Sequence, residues 1–215
     1  MMRLVFLGAP GSGKGTQAKK FSEKFGLVHI STGDILRKAI KDKKILGKNA
    51  QAYVEAGELV PDDIMLEMIK EELTGNTEGF IFDGFPRTLS QAEGLDRILD
   101  ELGMNIDGAI NLEVGADILV ERLAARRLCK SCGFEFNLKT RPPRVEGECD
   151  RCGGELYQRS DDTAEVINNR LKVYREKTGP IEDFYRARGL LMSVDGGRGF
   201  DEVFGSISEM VDTVR

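Results

Sequence analysis

"GAPGSGKGTQ", residues 8–17, follows the apolar run Leu4-Val5-Phe6-Leu7 and leads into a stretch with helical spacing. Glycines between a strand and a helix let backbone N–H groups turn inward around phosphate oxygens. The helix start then points the positive end of its dipole at them. Gly8-x-x-x-x-Gly13-Lys14 fits the Walker A frame, and Lys14 adds a mobile point charge for the outer phosphates. The frame calls for Ser or Thr after the lysine; here Gly15 stands there and Thr16 comes next. The usual direct hydroxyl ligand for magnesium is therefore displaced. A Gly-rich turn without a ligand is the plainer reading, but the strand before and the helix after argue against it.

Outward from this loop, short apolar runs alternate with longer amphipathic ones. Strands are predicted at Arg3–Leu7, Leu27–Ile30, Gly79–Phe82, Gly108–Leu112 and Leu190–Val194. Helical spacing covers Lys14–Phe25, a crowded region from Gly33 to Leu73, Thr88–Leu102, Ala116–Arg127 and Thr163–Arg175, with a last helix from about Asp201 to the end. The alternation predicts a parallel sheet with helices on both faces, which binds ligands at the carboxyl ends of its strands. Two stretches break the rhythm: Thr32–Val60, with two short helical patterns and no strand, and Leu128–Gln158, rich in Gly, Pro and Cys. Both read as insertions on the ligand edge.

At 215 residues the chain suits one domain of ordinary size. With 31 Lys+Arg against 36 Asp+Glu, the net charge of -5 argues against a general nucleic-acid binder. No apolar run reaches the roughly 18 residues of a membrane span, and the N-terminus shows no signal-peptide pattern, so a cytoplasmic protein is expected.

Phe80-Ile81-Phe82-Asp83 is an apolar strand ending in a carboxylate, and beside a phosphate loop Asp83 is a candidate to hold Mg²⁺ through water. "STGD" at 31–34 supplies cap residues for a helix carrying Arg37. In "DGFPRT" at 83–88, Pro86 fixes a turn and Arg87 sits at a helix entrance. Gln91, one turn on, offers a base edge both a donor and an acceptor. Arg122, Arg126, Arg127, Arg159 and Arg170 follow. Singly each is a surface charge; together, planar guanidinium forks hold phosphates. His29 is the only histidine, and no nucleophile–base set is legible. A phosphate acceptor needs no base, being already ionised, so arginines plus a phosphate loop fit transfer onto another phosphate by positioning and charge neutralisation.

All four cysteines lie between 129 and 152. Cys129-x2-Cys132, sixteen residues, then Cys149-x2-Cys152 has the spacing of two knuckles that close a tetrahedral zinc site. A unit of thirty-odd residues buries too little to hold itself, so the metal would supply stability rather than chemistry. Iron or cobalt fits similar ligands, and two disulfides or free thiols are the remaining readings.

"GAPGSGKGTQ", "HISTGD", "GELVPD", "IFDGFPRT", "ERLAARR" and "YQRSDD" fall in an order that closely resembles adenylate kinase over nearly the whole chain. Gly15 is itself part of that family's pattern. The resemblance implies a three-layer P-loop α/β fold: a five-stranded parallel sheet, a helical AMP-binding insertion and a small zinc-ribbon lid. It implies a core of residues 1–30, 61–125 and 163–215, an insertion at 31–60 and a lid at 126–162. The implied reaction is ATP + AMP = 2 ADP with Mg²⁺, maintaining adenine nucleotide balance, in a monomer with ATP, AMP and ADP as its partners.

By the same resemblance Gly11, Ser12, Gly13, Lys14, Gly15 and Thr16 cradle ATP phosphates, with Lys14 and Arg126 on the transferred group. Thr32, Arg37, Glu58, Leu59, Val60, Gly84, Phe85, Pro86, Arg87 and Gln91 receive AMP, and Arg159 and Arg170 bridge the two phosphates. Arg122 stacks on the donor adenine, while the backbone around Glu135 and Phe136, together with Arg198, contacts ATP. Phe136-Asn137 replaces a Tyr-His pair frequent in the family's lid, and Arg198 stands where Lys or Gln often does. A UMP or CMP kinase is the neighbouring alternative. A nucleotide-dependent switch or a zinc-ribbon nucleic-acid module is the more distant one, against which the acidic balance and the arginine set both speak.

Overall fold

Leu4, Val5, Phe6 and Leu7 are all buried, as a strand covered on both faces requires. A computed structural model of the chain describes residues 2–42, 45–74 and 79–213, and only the backbone of 45–49. The expected end of the last helix at 214–215 and the middle of the first insertion at 43–44 lie outside these residues.

The elements run β1 (Arg3–Leu7), α1 (Lys14–Phe25), β2 (Val28–Ser31), α2 (Thr32–Lys41), α3 (Ile45–Ala56), α4 (Asp62–Thr74), β3 (Phe80–Asp83) and α5 (Leu89–Glu101). Next come β4 (Gly108–Glu113), α6 (Ala116–Ala124), β5 (Arg126–Cys129), β6 (Glu135–Asn137), β7 (Leu156–Tyr157) and a 3-10 turn at Ser160–Asp162. The chain continues through α7 (Ala164–Val173), a π-helical segment at Tyr174–Thr178, α8 (Gly179–Arg186), β8 (Leu191–Asp195) and α9 (Phe200–Asp212).

Five strands form one parallel sheet in the order β2-β3-β1-β4-β8. Alternation along β1 divides the core. Val5 and Leu7 face Phe80, Phe82, Ile30 and Leu95 on one side, and Leu4 and Phe6 face Phe21, Ile81, Ile110 and Ile207 on the other. β1 sits in the centre, so its loop emerges where β3 and β4 also end, at the crevice such sheets use for ligands. α1 starts after Gly13 at φ 90° and stops at Gly26 at φ 67°, whose N–H donates to the Ser22 carbonyl. Both positions demand the left-handed backbone that glycine adopts freely.

Three sequence expectations need correction. The helix expected over Ala116–Arg127 ends at Ala124; Arg126 and Arg127 open β5, the centre of a separate antiparallel sheet in the order β6-β5-β7. Leu138 N donates to the Ala125 carbonyl and Asn137 Nδ2 to the Arg122 carbonyl, so a returning strand turns the chain out of its helix. Helix also continues past Arg175 through the π-helical segment and α8, whose first turn holds Pro180. Finally, Ser31 closes β2 and makes no side-chain cap, while Thr32 Oγ1 donates instead to the Gly84 carbonyl at 2.9 Å.

Candidate functional site

The phosphate loop is held by its own backbone: Ser12 N donates to the Ala9 carbonyl at 3.0 Å, and Lys14 Nζ reaches the same oxygen at 3.3 Å. Gly8 and Gly11 also take positive φ, 138° and 86°. Gly15 has a different reason. A Cβ there would lie 2.9 Å from Asp83 Oδ2, so the missing side chain lets α1 pass directly beside the carboxylate at the end of β3.

Asp83 lies 3.4 Å from His29 Nε2. Burial alone would raise its pKa, but His29, Lys14 and Arg87 outweigh burial and hold the carboxyl below its usual range. Lys14, sunk in the cleft and close to Arg87, Arg170 and Arg126, is pushed down to about 8 despite Asp83.

Around this floor the structure gathers the arginines. Arg126 Nε and Nη2 grip Asp162 at 2.8 and 2.6 Å, and Arg170 Nη1 reaches the same carboxylate at 3.1 Å and Asp161 at 3.1 Å. Arg87 Nε donates to the Gly84 carbonyl at 2.7 Å. Burial, then the charge of Arg170, lowers Arg87 to about 10; burial, then Arg126, does the same to Arg159. Arg159 Nε is buried with no hydrogen-bond partner among the described residues. Lys14, Arg37, Arg87, Arg126, Arg159 and Arg170 thus face Asp83, Asp161 and Asp162. Asp34, paired to Arg37 at 2.6 Å, and Glu135, whose charge acts on Arg126 and Arg159, bring the count to six cations against five carboxylates, an excess that an anion relieves.

One pocket is lined by Thr32, Arg37, Glu58, Leu59, Val60, Arg87, Gln91, Asp161 and Arg170 among others. A second, beside the phosphate loop, is lined by Gly8, Pro10, Lys14, Gly84, Pro86, Arg87, Arg170, Tyr174 and Thr178 among others. Gly57, Leu59, Arg87 and Arg170 belong to both, so the two are ends of one cleft. Gln91 is buried; its Oε1 accepts from Arg87 N and its Nε2 donates to Asp62 Oδ1, each at 2.7 Å.

Arg122, Arg198, Glu135 and Phe136 line neither end of this cleft, although the charge of Glu135 acts on Arg126 and Arg159. Arg122 Nη1 donates to the Ser12 and Gly196 carbonyls at 3.4 and 2.9 Å, pinning the phosphate loop to the turn after β8. Arg198 lies on that turn, beside Asp195 and Ser206. Glu135 is on β6, paired with Leu128. Phe136 is buried in the small sheet edge-on to Phe134, so only its backbone is on offer; Asn137 fastens the turn at Lys139 and Thr140. Phe85 is likewise a core residue, against Phe82. Sequence reasoning missed Asp62, Tyr174 and Thr178. Asp62 lies inside the quoted "GELVPD", but as a helix-opening carboxylate it reads as a cap.

None of the four cysteines is joined in a disulfide. Their sulfurs all lie within 4.8 Å of one another, Cys129 to Cys152 at 3.5 Å and Cys132 to Cys149 at 3.7 Å. Thiolates about 2.3 Å from a tetrahedral zinc stand about 3.8 Å apart, so the set fits that ion. A Cβ on Gly154 would come within 2.9 Å of Cys129 Sγ, so glycine is needed where the knuckle closes.

A family model described as adenylate kinase matches residues 6–190. The adenylate kinase of Thermodesulfovibrio yellowstonii is 54% identical over 213 residues, covering 98% of this chain and 99% of that protein. That of Carboxydothermus hydrogenoformans is 51% identical over 208 residues, covering 96% and 97%. That of Archaeoglobus fulgidus is 47% identical over 216 residues and covers both chains completely. A match from within β1 to the residue before β8, with about half of all positions identical in relatives that cover nearly the whole chain, is not a shared loop but a shared protein: the chain belongs to the adenylate kinase family.

Proposed function

We propose that this protein catalyses the reversible Mg²⁺-dependent transfer of a phosphoryl group from ATP to AMP, giving two ADP and so maintaining adenine nucleotide balance. The observation that carries the reading is the single cleft. One end is a phosphate loop, the other holds Gln91 for a base edge, and Arg87 and Arg170 belong to both.

In this reading residues 11–16 cradle the donor phosphates, and Lys14 and Arg126 stabilise the charge of the group in flight. Arg159 and Arg170 bridge donor and acceptor, and the unpartnered Arg159 Nε is a donor ready for that role. Thr32, Arg37, residues 58–60, residues 84–87 and Gln91 receive AMP. Catalysis is alignment and charge neutralisation; the acceptor oxygen is already ionised, so no residue has to remove a proton. Bound magnesium would spread the charge of the donor phosphates, and Asp83, kept ionised beside Gly15, is the carboxylate that fits it through water.

We also assign structural zinc to the four cysteines, the core to 1–30, 61–125 and 163–215, the AMP-binding insertion to 31–60 and the closing lid to 126–162. Arg122, Glu135, Phe136 and Arg198 remain candidates for the adenosine end of ATP once that lid has moved. Lid closure is known for adenylate kinase, and its use here is to keep ATP from water until AMP arrives. The enzyme is read as a cytoplasmic monomer without nucleic-acid or membrane partners, in keeping with its net charge of -5 and with the absence, among described residues, of a helix long and apolar enough to cross a membrane.

The test is ADP formation from Mg-ATP with AMP, UMP, CMP, GMP or no acceptor. Fast turnover with AMP and near silence without acceptor are expected. Preference for another monophosphate would change the substrate, and turnover with none would remove the catalytic roles.

A further inference from the structure

Gln91 reads a base only if its amide points one way, and the structure contains a device that sets that direction. Its Oε1 accepts from the backbone N–H of Arg87 at 2.7 Å, and its Nε2 donates to Asp62 Oδ1 at 2.7 Å. A backbone N–H can only donate and a carboxylate can only accept, so these neighbours admit a single orientation. Turning the amide over would set Oε1 against the Asp62 carboxylate and Nε2 against the Arg87 N–H, two repulsions in place of two hydrogen bonds. Asp62 is itself fixed, because Thr88 Oγ1 donates to its Oδ2 at 2.8 Å while accepting from Gln91 N at 3.1 Å. Arg87, Thr88, Gln91 and Asp62 form one closed set of hydrogen bonds between the start of α5 and the start of α4.

We propose that Asp62 is a specificity-determining positioning residue: by locking the Gln91 amide it makes the acceptor pocket select a 6-aminopurine over a 6-oxopurine. The inference rests on the reading of Gln91 as the base contact. An amide nitrogen has two hydrogens and an amide oxygen two lone pairs, and the protein uses one of each. The remaining N–H and lone pair are left for the pocket that Gln91 lines. They match a purine whose N1 accepts and whose 6-substituent donates, as in adenine. A purine with N1–H and a 6-oxygen presents the reverse and would need the amide turned over. Asp62 touches no substrate in this scheme; it acts through Gln91.

The experiment compares AMP with IMP, which differs only in the 6-position and the N1 proton, as acceptors for Mg-ATP. The enzymes are the wild type, Asp62→Asn, whose amide can face either end of Gln91, and Asp62→Ala, which leaves that end unopposed. The wild type should favour AMP strongly in kcat/KM. Both variants leave the Arg87 N–H as the one contact opposing the turned amide, so each should reduce the AMP-to-IMP ratio several-fold, toward the roughly tenfold or more carried by a well-placed amide–base pair, chiefly through a rise in KM for AMP and a fall in KM for IMP. A purely structural defect lowers both acceptors alike and leaves their ratio unchanged, which would overturn the proposal even in a weakened enzyme. Equal use of AMP and IMP by the wild type would instead remove the reading of Gln91 beneath it. A ratio that survives in both Asp62 variants of an AMP-selective enzyme refutes Asp62 alone.

Discussion

At the scale of single residues, the site stores unfavourable charge that its substrate relieves. Lys14 illustrates this best, since burial and three neighbouring arginines bring it from 10.5 to about 8. Donor phosphates reverse that balance, so Mg-ATP binding between pH 8 and 10 should take up a proton, read by calorimetry in buffers of different ionisation enthalpy, and affinity should fall as pH rises through about 8. The sign for stability is opposite to that for activity. The folded chain holds Lys14 less basic than the unfolded chain does, so between about 8 and 10.5 the unfolded state binds more protons and folding gains as pH rises. Lys14→Met should therefore abolish turnover yet stabilise the free protein by about 1–3 kcal/mol at pH 7, a gain that fades toward pH 10.5. Denaturant melts across that pH range check it, and a destabilised variant at pH 7 would contradict it.

Among the elements, β5 matters most, because it places Arg126 against Asp162 from the 3-10 turn and beside Arg170 from α7. One buried carboxylate sets two guanidinium groups before any phosphate arrives. Arg126→Lys keeps the charge and loses the fork. It should cut kcat by about 100-fold, the scale of one lost transition-state donor, with each KM changing only a few-fold. A rise in KM alone would make Arg126 a ground-state binder. β5 is also where sequence reading stops short. "ERLAARR" keeps helical spacing through Arg127, and the signals that end the helix at Ala124 come from Leu138 and Asn137, beyond the knuckle. The central strands were legible because a doubly covered parallel strand is one apolar run. α8 was not, because it is only eight residues long and carries a glycine and a proline in its first turn, where proline is tolerated but leaves little helical pattern to read. Of the site, the phosphate loop and the arginines stood out as residue types in a pattern. Asp62 did not, since its partners Thr88 and Gln91 lie 26 and 29 positions away and only the fold joins them.

For the molecule as a whole, the apolar clusters are unequal in size, and the proposed zinc assignment makes the part with the smallest one depend on a metal. Two large clusters cover the faces of the five-stranded sheet, and a small one, Leu119, Leu123, Ile167 and Leu171, joins α6 to α7. Around the three-stranded sheet the cluster is just Cys129, Phe136 and Cys149, with Phe134 and Leu156 packed against them; with Leu128, four side chains are buried between residues 126 and 157, and two of them are thiols. It is tied back to α6 and its end by Asn137 Nδ2 on the Arg122 carbonyl, by Leu138 N on the Ala125 carbonyl and by the exposed Lys139–Glu121 pair. Ties of that kind orient a folded unit but do not fold it, and exposed pairs contribute little. On the zinc assignment proposed above, ion binding to the four sulfurs supplies the folding free energy of this unit. A strong chelator should therefore act in two steps. Proteolysis should open first between residues 130 and 155 and turnover should fall steeply, while AMP binding persists, its pocket being lined mainly from α2, α3, α4, α5 and α7. The main melting transition should stay in place, with the lost stability confined to an earlier, smaller one. Readdition of zinc should restore turnover and protease resistance together. A chelator-treated protein with unchanged turnover and cleavage would show instead that the packing of Phe134, Phe136 and Leu156 suffices, and the metal would lose its structural role.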